Sequence, residues 1–565
     1  MRFLTRVFLA LAALGVVAPV PAAEAPVDPR TKVDELFRDY DRSDTPGCAL
    51  GVYRDGKIAY ARGYGMANLE LGVANSPQTV FDIGSTGKQF TAFSIQLLAQ
   101  EGKLSLDDDI RKWMPEIPSY GKTITIRHLL HHTGGLRDYI ELMSLQGVMQ
   151  EDLTGDAEVL EIMARQKAPN FPPGEEHLYS NTGYNLLSMI VKRVSGLSLR
   201  DFAAERIFGP LGMTHTQYND SHTRIIPNRA TGYSRPKGGV FGIDMSDWEQ
   251  TGDGAVVTTI EDLVRWDENF YDGKVGGPKL IEALHEVGVL NNGKKLQYAS
   301  AIYVTTYRGL PAITHGGSWA GYRAQLMRFP KQHLSVACLC NNGGTANPSR
   351  LASKVADIYL GDLMSPAAEK KAAETPAAAP PEASAWTGGF RNAVTGDLVT
   401  LSLQDGILVA DADGTPSRLT PDGQNRFHTA NLPNGVARSE TVFETAKGTT
   451  RPRMQVTTTD EDGDVETETF EPVERWTPGA ADLAAFAGTY ASRELDTTWR
   501  LVVEKGQLFI RHRGISAQAL TPTVRDAFTL EGMNLIFRRG GGGKASGFTL
   551  DAGRVRGVVF ARAAD

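Results

Sequence analysis

Cysteine is scarce in this chain: Cys48, Cys338 and Cys340 are all it has in 565 residues. Three cysteines cannot build a disulfide framework, so stability has to come from hydrophobic cores. Cys338 and Cys340 stand two apart in an apparent strand and share a face, which predicts a buried thiol pair there rather than a metal site. A marked excess of one charge is missing too. Lysine plus arginine number 59 and aspartate plus glutamate 66, a net charge of −7, with no basic stripe interleaved with aromatics and no long run of like charge. That argues against nucleic acid as a partner, and the acidic excess is too mild to name another. A bilayer-spanning run is also wanting. After Arg2 and Arg6 the apolar stretch Val7 to Val20 has about 14 residues against the ~20 a span requires, and Pro21-Ala22-Ala23 follows with small side chains suited to cleavage. Residues 1–23 therefore read as a signal peptide and the mature protein as exported, periplasmic or secreted, with no membrane attachment after cleavage. No cysteine follows the run, which disfavours a lipid anchor.

What the chain does have is a clear change of texture along its length, and 565 residues predict several domains. Val33, Leu36, Phe37 and Tyr40 mark an amphipathic helix. Cys48 to Tyr53 and Ile58 to Ala61 read as strands joined through Arg54-Asp55-Gly56-Lys57. From Asp152 to Gly212 the pattern is helical, with Glu158 to Arg165 and Tyr184 to Ser195 the clearest segments. Strands return as Tyr298 to Val304, Ala312 to His315, Tyr322 to Phe329 and Leu334 to Cys340, closed by a helix from Ser349 to Leu360. This order predicts an α+β layer fold over 24–363: an antiparallel sheet flanked by helices, with a helical lobe and a cleft between.

Residues 364–384 are rich in Ala, Pro, Glu and Lys and read as a linker. Beyond it short β segments alternate with Asp-Gly and Gly-rich turns, and they repeat. Trp386-Thr387-Gly388-Gly389-Phe390 answers Phe486-Ala487-Gly488-Thr489-Tyr490, and Leu419-Thr420-Pro421 answers Leu520-Thr521-Pro522, at a spacing of about 100 residues. Two related all-β domains, barrels or sandwiches, over 385–476 and 477–565, follow from this.

Chemistry concentrates at Phe81-Asp82-Ile83-Gly84-Ser85-Thr86-Gly87-Lys88. Apolar residues at helical spacing follow, so Ser85 and Lys88 fall three apart near a buried helix start, where hydroxyl and amine can meet. A serine attacks carbonyls only when a base takes its proton, and burial near a helix N-terminus lowers a lysine pKa toward that task. Ser-x-x-Lys occurs again at Ser119 and Ser234, in Gly- and Pro-bearing stretches that do not form helices. Two further elements stand out: Tyr179-Ser180-Asn181, the one Tyr-x-Asn among 17 tyrosines, on a Pro- and Gly-bearing loop, and His315-Gly316-Gly317. The paired His131 and His132 lack zinc-ligand spacing and read as structural.

In this order, Ser85-x-x-Lys88, Tyr179-x-Asn181 and His315-Gly316-Gly317 resemble the signature elements of the penicillin-recognising serine hydrolases, which include class C β-lactamases, D,D-peptidases, D-aminopeptidases and related esterases. The resemblance covers about residues 30 to 362. It implies Ser85 as acylated nucleophile, Lys88 as its base, Tyr179 as a second proton-transfer group with its pKa lowered by Lys88, and Asn181 as a substrate ligand. It also implies an oxyanion hole from the backbone N–H groups of Ser85 and Ser318, with His315 and Gly317 on the substrate-binding strand. Many members carry Lys-Thr-Gly where this chain has His-Gly-Gly, and a neutral imidazole is a weak anchor for a carboxylate. In this the chain is similar to D-aminopeptidases and some esterases, and the tandem repeat resembles the two lipocalin-like β-barrel domains that follow the hydrolase domain in a D-aminopeptidase of this superfamily. One barrel is expected to reach over the cleft, with Gly540-Gly541-Gly542-Gly543 as a candidate element.

The sequence thus points to an exported serine hydrolase acting on small amides or esters, or short peptides, with D-stereospecific aminopeptidase chemistry first. A carboxylesterase or β-lactamase-like hydrolase comes next, and a non-catalytic peptidoglycan- or peptide-binding protein stands as the alternative class. The chemistry calls for no cofactor and no metal. The oligomeric state is left open, a homo-oligomer included.

Overall fold

A computed structural model of the chain describes residues 28–235, 239–366, 378–392, 394–412, 415–423, 425–429, 436–444, 451–460, 465–513 and 517–563. The leader over 1–23 lies outside these residues, as does 367–377 of the linker. No helix among the described residues is long and apolar enough to cross a membrane.

A six-stranded antiparallel sheet forms the first body. Its strands are β1 (Cys48–Arg54), β2 (Lys57–Tyr64), β3 (Tyr303–Tyr307), β4 (Leu310–Trp319), β5 (Tyr322–Phe329) and β6 (Leu334–Cys340), in the order β3-β4-β5-β6-β1-β2. The hairpin from β1 to β2 turns at Asp55 (φ 50°) and Gly56 (φ 71°), two positive φ values that match the twist of the strands it joins. β1 and β6 are apolar almost throughout because both faces of the sheet are covered. The helices that matter here are α1 (Pro29–Leu36), α2 (Lys88–Gln100), α3 (Tyr139–Gln146), α4 (Asn181–Ser195), α5 (Ile260–Asp272) and α6 (Pro348–Leu360). On one face Val33 of α1 and Ala352 and Val355 of α6 bury against Leu50 and Val336. On the other, α2 and α5 carry Phe90, Phe93, Ile260 and Trp266 into the main core. α2 is buried along nearly its whole length, so its first residue, Lys88, is buried with it.

The cysteine expectation is corrected at the β1–β6 seam. Cys48 and Cys340 form a disulfide, and Cys338 is the free, buried thiol. The register explains why: antiparallel pairing sets Cys48 directly opposite Cys340, with Cα atoms 3.9 Å apart. Cys338 does share the face of Cys340, its sulfur 3.8 Å away, but the cross-strand partner takes the bond.

Two closed eight-stranded barrels follow. The first comprises β7 (Gly388–Asn392), β8 (Leu398–Gln404), β9 (Ile407–Ala412), β10 (Thr415–Pro421), β11 (Arg426–Thr429), β12 (Val436–Glu444), β13 (Arg453–Asp460) and β14 (Val465–Val473). The second comprises β15 (Gly488–Ser492), β16 (Thr497–Glu504), β17 (Gln507–Arg511), β18 (Ala519–Pro522), β19 (Ala527–Leu530), β20 (Met533–Arg539), β21 (Ala545–Ala552) and β22 (Val555–Arg562). In each, the first strand pairs with the last, which removes the sheet edges.

The second barrel is clamped to the hydrolase body. Arg137 Nη1 meets Glu494 Oε1 at 2.7 Å with both side chains buried, Arg137 Nε donates to the Arg556 carbonyl at 2.9 Å, and Trp499 Nε1 donates to the Leu145 carbonyl at 3.2 Å. Glu494 also accepts from the Lys167 backbone N–H at 2.9 Å, so both members of the ion pair are held by further hydrogen bonds. Breaking such a pair strands a buried charge, at a cost of about 3–5 kcal/mol. Arg137→Met is expected to loosen the second barrel, seen as a lower thermal midpoint and as earlier proteolytic release of a fragment containing residues 477–565.

Candidate active site

Ser85 sits in the one-turn 3-10 segment Gly84–Gly87 that leads into α2. Asp82 Oδ1 accepts from the Gly84 N–H at 2.7 Å and holds this entry turn in place. Burial raises the Asp82 carboxyl to about 6, against the pull of the Gly84 bond and of Arg229. One turn on, Lys88 Nζ lies 3.0 Å from Ser85 Oγ and 2.8 Å from Asn181 Oδ1, and it also reaches the Asp253 carbonyl oxygen. Three acceptors thus meet the three donors of an ammonium. Remove one proton and the remaining N–H groups can stay on Asn181 and Asp253 while the lone pair faces the serine hydroxyl, the arrangement a general base needs. Burial drives the Lys88 pKa down to about 8, opposed by the nearby Asp253 and Asp138 carboxylates and assisted by Arg554.

Tyr179 arrives from the loop before α4. The Lys88 ammonium lies over its ring, 4.9 Å from the centroid, so the three side chains converge. The expected lowering of the phenol pKa does not occur. Burial raises it well above the ordinary value, and no neighbouring charge reverses that rise. Tyr179 Oη has no hydrogen bond of good geometry among the described residues, although the Ser85 hydroxyl is near enough to offset part of the rise. In this state Tyr179 is a protonated phenol and a potential acid.

The third element lies on β4, and backbone clearance explains its Gly317 and the Gly84 that faces it across the serine turn. A Cβ on Gly317 would meet the Ile83 carbonyl oxygen at 1.9 Å, and one on Gly84, at φ +49°, would meet the Ser318 nitrogen at 2.7 Å. The strand and the serine turn therefore touch backbone to backbone. His315 is buried beside them, and both its ring nitrogens are engaged. The Ser180 N–H donates to His132 Nδ1 at 3.1 Å, which leaves His132 Nε2–H for Tyr298 Oη at 3.1 Å. The Tyr298 hydroxyl then donates to His315 Nε2 at 3.2 Å, and His315 Nδ1–H to the Gly316 carbonyl at 2.6 Å. Burial holds the His315 pKa at about 4, so the ring is neutral near pH 7.

Several site residues escaped the sequence reading. Asp253 lies on the loop between Gly252 (φ +106°) and Ala255 (φ 62°), and its Oδ2 accepts from Tyr139 Oη at 2.9 Å. Burial raises its pKa to about 6, with Lys88 and the Tyr139 bond pulling the other way. Asp138 is fully buried and takes the Asn181 N–H at 2.7 Å, fixing the start of α4. The element that reaches over the cleft is the turn between β21 and β22, not Gly540–Gly543. Arg554 of that turn lies 5.7 Å from the Tyr179 ring centroid, 3.5 Å from Asp138 Oδ2 and 2.9 Å from Glu141 Oε1. Gly540 to Gly543 are outside the cavity lining. The cavity is about 800 Å³, with Ser85, Tyr179, Asn181, Asp253, Ser318 and Arg554 among its walls.

A nucleophile turn, a buried lysine and a facing strand on an antiparallel sheet define a serine hydrolase. The beta-lactamase family matches residues 33–360, and the chain belongs to that family. Penicillin-binding protein 4* of Bacillus subtilis (strain 168) is 29% identical over 323 residues, spanning 54% of this chain and 70% of that protein. A D-aminopeptidase of Brucella melitensis biotype 2 (strain ATCC 23457) is 25% identical over 547 residues, spanning 92% of this chain and 96% of that protein, so the likeness runs through both barrels. The solved structure of the octameric penicillin-binding protein homologue from Pyrococcus abyssi has the same fold, with a TM-score of 0.56 at 22% identity over 78% of this chain and 100% of that one.

Hydrolysis should follow the Lys88 titration. kcat/KM is expected to rise with pH through about 8 and then level, and Lys88→Arg, which stays protonated, should cost roughly 10²–10⁴-fold. Asp253→Asn removes a charge that holds the Lys88 pKa up, so the acid limb should move to lower pH.

Proposed function

We propose that this protein is an exported D-stereospecific hydrolase that removes the leaving group from D-amino-acid amides or short peptides through an acyl-enzyme on Ser85. The observation that carries the mechanism is the buried Lys88 amine 3.0 Å from the Ser85 hydroxyl. Neutral Lys88 takes the serine proton as Oγ attacks the carbonyl carbon. The oxyanion that forms is met by the backbone N–H groups of Ser85 and Ser318, a stabilisation worth about 3–4 kcal/mol per donor in such sites. Tyr179, held protonated by its burial, passes a proton to the leaving amine as the C–N bond breaks and recovers one through Lys88. Water then attacks the ester by the same route in reverse and frees Ser85.

Substrate class rests on two supports. Relatives named D-aminopeptidase match this chain nearly end to end. The Asp253 carboxylate on the cavity wall gives a substrate α-ammonium an anionic partner, and that ammonium pushes the Lys88 pKa down further as it binds. His315, neutral and tied to Tyr298 and Gly316, positions β4 rather than anchoring a carboxylate. A second reading is favoured by Arg323 and Arg554 on the same cavity wall, which suit a carboxylate-bearing substrate such as a β-lactam. Export is supported by the leader-like residues 1–23 and by the Cys48–Cys340 disulfide, a bond that belongs to oxidising compartments.

A panel of D- and L-aminoacyl anilides, short-chain esters and a chromogenic cephalosporin, run beside Ser85→Ala, tests this. D-aminoacyl anilides should be the best substrates, and Ser85→Ala should lose roughly 10⁴-fold or more. On the alkaline plateau, where Lys88 is neutral in both proteins, Asp253→Asn should raise KM for the D-aminoacyl anilides by about 10-fold or more while leaving acetate esters little changed. Fastest turnover of the cephalosporin would select the second reading. A fluorophosphonate should label wild type and not Ser85→Ala; absence of labelling in both would indicate a binding protein.

A further inference from the structure

The two barrels repeat each other strand for strand, so the filling of one is a control for the other. Equivalent positions follow from matching ladders: Phe390 pairs with Val399 as Tyr490 pairs with Trp499, Leu401 with Ala410 as Leu501 with Ile510, and Phe427 with Thr441 as Phe528 with Leu535. Round the wall the same register sets Met454 against Phe548, Val456 against Leu550 and Glu468 against Val558. In the second barrel these inward positions hold Trp499, Ile510, Leu535, Phe548, Leu550 and Val558, every one 0% exposed. They close the interior with large apolar side chains. In the first barrel the same places hold Val399, Ala410, Thr441, Met454, Val456 and Glu468, which are smaller or polar.

A closed ring of eight hydrogen-bonded strands cannot shrink around smaller side chains, and its bore is wide enough either to be filled by them or to admit one small molecule. The result is a cavity of about 1040 Å³, larger than the one at Ser85. At one end Leu419, Met454 and Phe470 line it and belong to the same cluster as Trp386, Phe390, Phe427 and Phe443, Trp386 stacking on Phe443 with centroids 4.8 Å apart. The other end opens toward α3 and the second barrel. Its rim carries Glu141, Asp397, Glu531 and Asp551 against Arg556; Arg556 is paired with Glu176 at 3.0 Å and Glu141 with Arg554 at 2.9 Å, so the acidic excess lies in Asp397, Glu531 and Asp551. Inside the wall the position equivalent to Val558 is the carboxylate of Glu468, which accepts from Asn392 Nδ2 at 2.9 Å.

We propose that the first barrel is a binding site for a largely apolar small molecule with a cationic end, the apolar body lying against Val399, Ala410, Met454 and Val456 and the cation directed to the acidic rim and Glu468. The turn after β21 walls both cavities, Gly553 lining this one and Arg554 the one at Ser85. The proposal does not depend on the substrate of Ser85, and its readout is binding.

Calorimetric titration of the full-length protein with dodecylammonium, dodecanol and dodecanoate, each below its micelle concentration, tests it. Dodecylammonium should bind one per chain, roughly tenfold tighter than dodecanoate, the scale of one favourable charge contact in place of one unfavourable. Val399→Trp/Ala410→Ile, which installs the side chains the second barrel carries in the same register, should abolish binding while fluorophosphonate labelling of Ser85 is unchanged. Thr441→Leu, a smaller filling of the same bore, should weaken it and guards against a folding defect in the double variant. Glu468→Gln should erase the preference for the ammonium over dodecanol. No saturable binding of any probe, tighter binding of dodecanoate, or undiminished binding to a correctly folded filled barrel would overturn the assignment.

Discussion

The burial of one amine organises this molecule. An exposed lysine is protonated at neutral pH and is no base; inside the core at the start of α2, Lys88 can hold its charge only by drawing on Ser85, Asn181 and the Asp253 carbonyl, and its pKa falls to about 8. Each of those partners comes from a separate part of the chain. α2 must therefore pack against α4, the Gly252–Ala255 loop must turn through positive φ, and β4 must lie hard against the serine turn. The clearances at Gly84 and Gly317 are the cost of that last approach, since neither position has room for a side chain.

Around this centre polar groups are arranged in directed chains. Ser180, His132, Tyr298 and His315 form a one-way hydrogen-bond sequence that fixes the tautomer of each ring and anchors β4 from behind. On the opposite side Asp138 serves the Asn181 N–H, caps α3 through the Ile140 N–H and receives Arg554. The second barrel is accordingly part of the hydrolase site, tied in by the buried Arg137–Glu494 pair, whereas the first barrel meets the rest of the protein across the mouth of its own cavity.

Much of this was legible in the residues. The helical periodicity after Ser85, the Asp55-Gly56 turn, the strands from Ala312 to Cys340 and the 100-residue repeat each depend on neighbours close in sequence, and each appears where expected, with shifts at the ends; the strand expected over Tyr298 to Val304 instead runs from Tyr303 to Tyr307, after a turn through Ala301 at φ 63°. β4 runs on to Trp319, past the expected His315, because Gly316 and Gly317 stay extended against the serine turn. α4 begins at Asn181 rather than Tyr184, since buried Asp138 takes the Asn181 N–H. What was not legible depends on register between remote strands. Cys338 and Cys340 looked like a pair because they are neighbours on one strand, but Cys48 is closer across the ladder. Gly540–Gly543 suits either an element over the cleft or a plain surface loop, and local sequence does not separate the two; the orientation of the barrel brings Arg554 to the cleft instead. Asp253 had no local pattern to mark it, because its meaning comes from Tyr139 and Lys88.

By itself, the order of residues determined which segments would be helix or strand, that two β domains repeat, and which three short motifs could share a reaction. Those are properties of spacing along a backbone with fixed periods. Only the folded chain decided which cysteines join, that the Tyr179 phenol is held protonated, which hairpin turn closes the cleft, and that one barrel is filled while its twin is open. These depend on distances and desolvation set jointly by the whole sheet and by the docking of separate domains, and no local stretch of sequence carries that information.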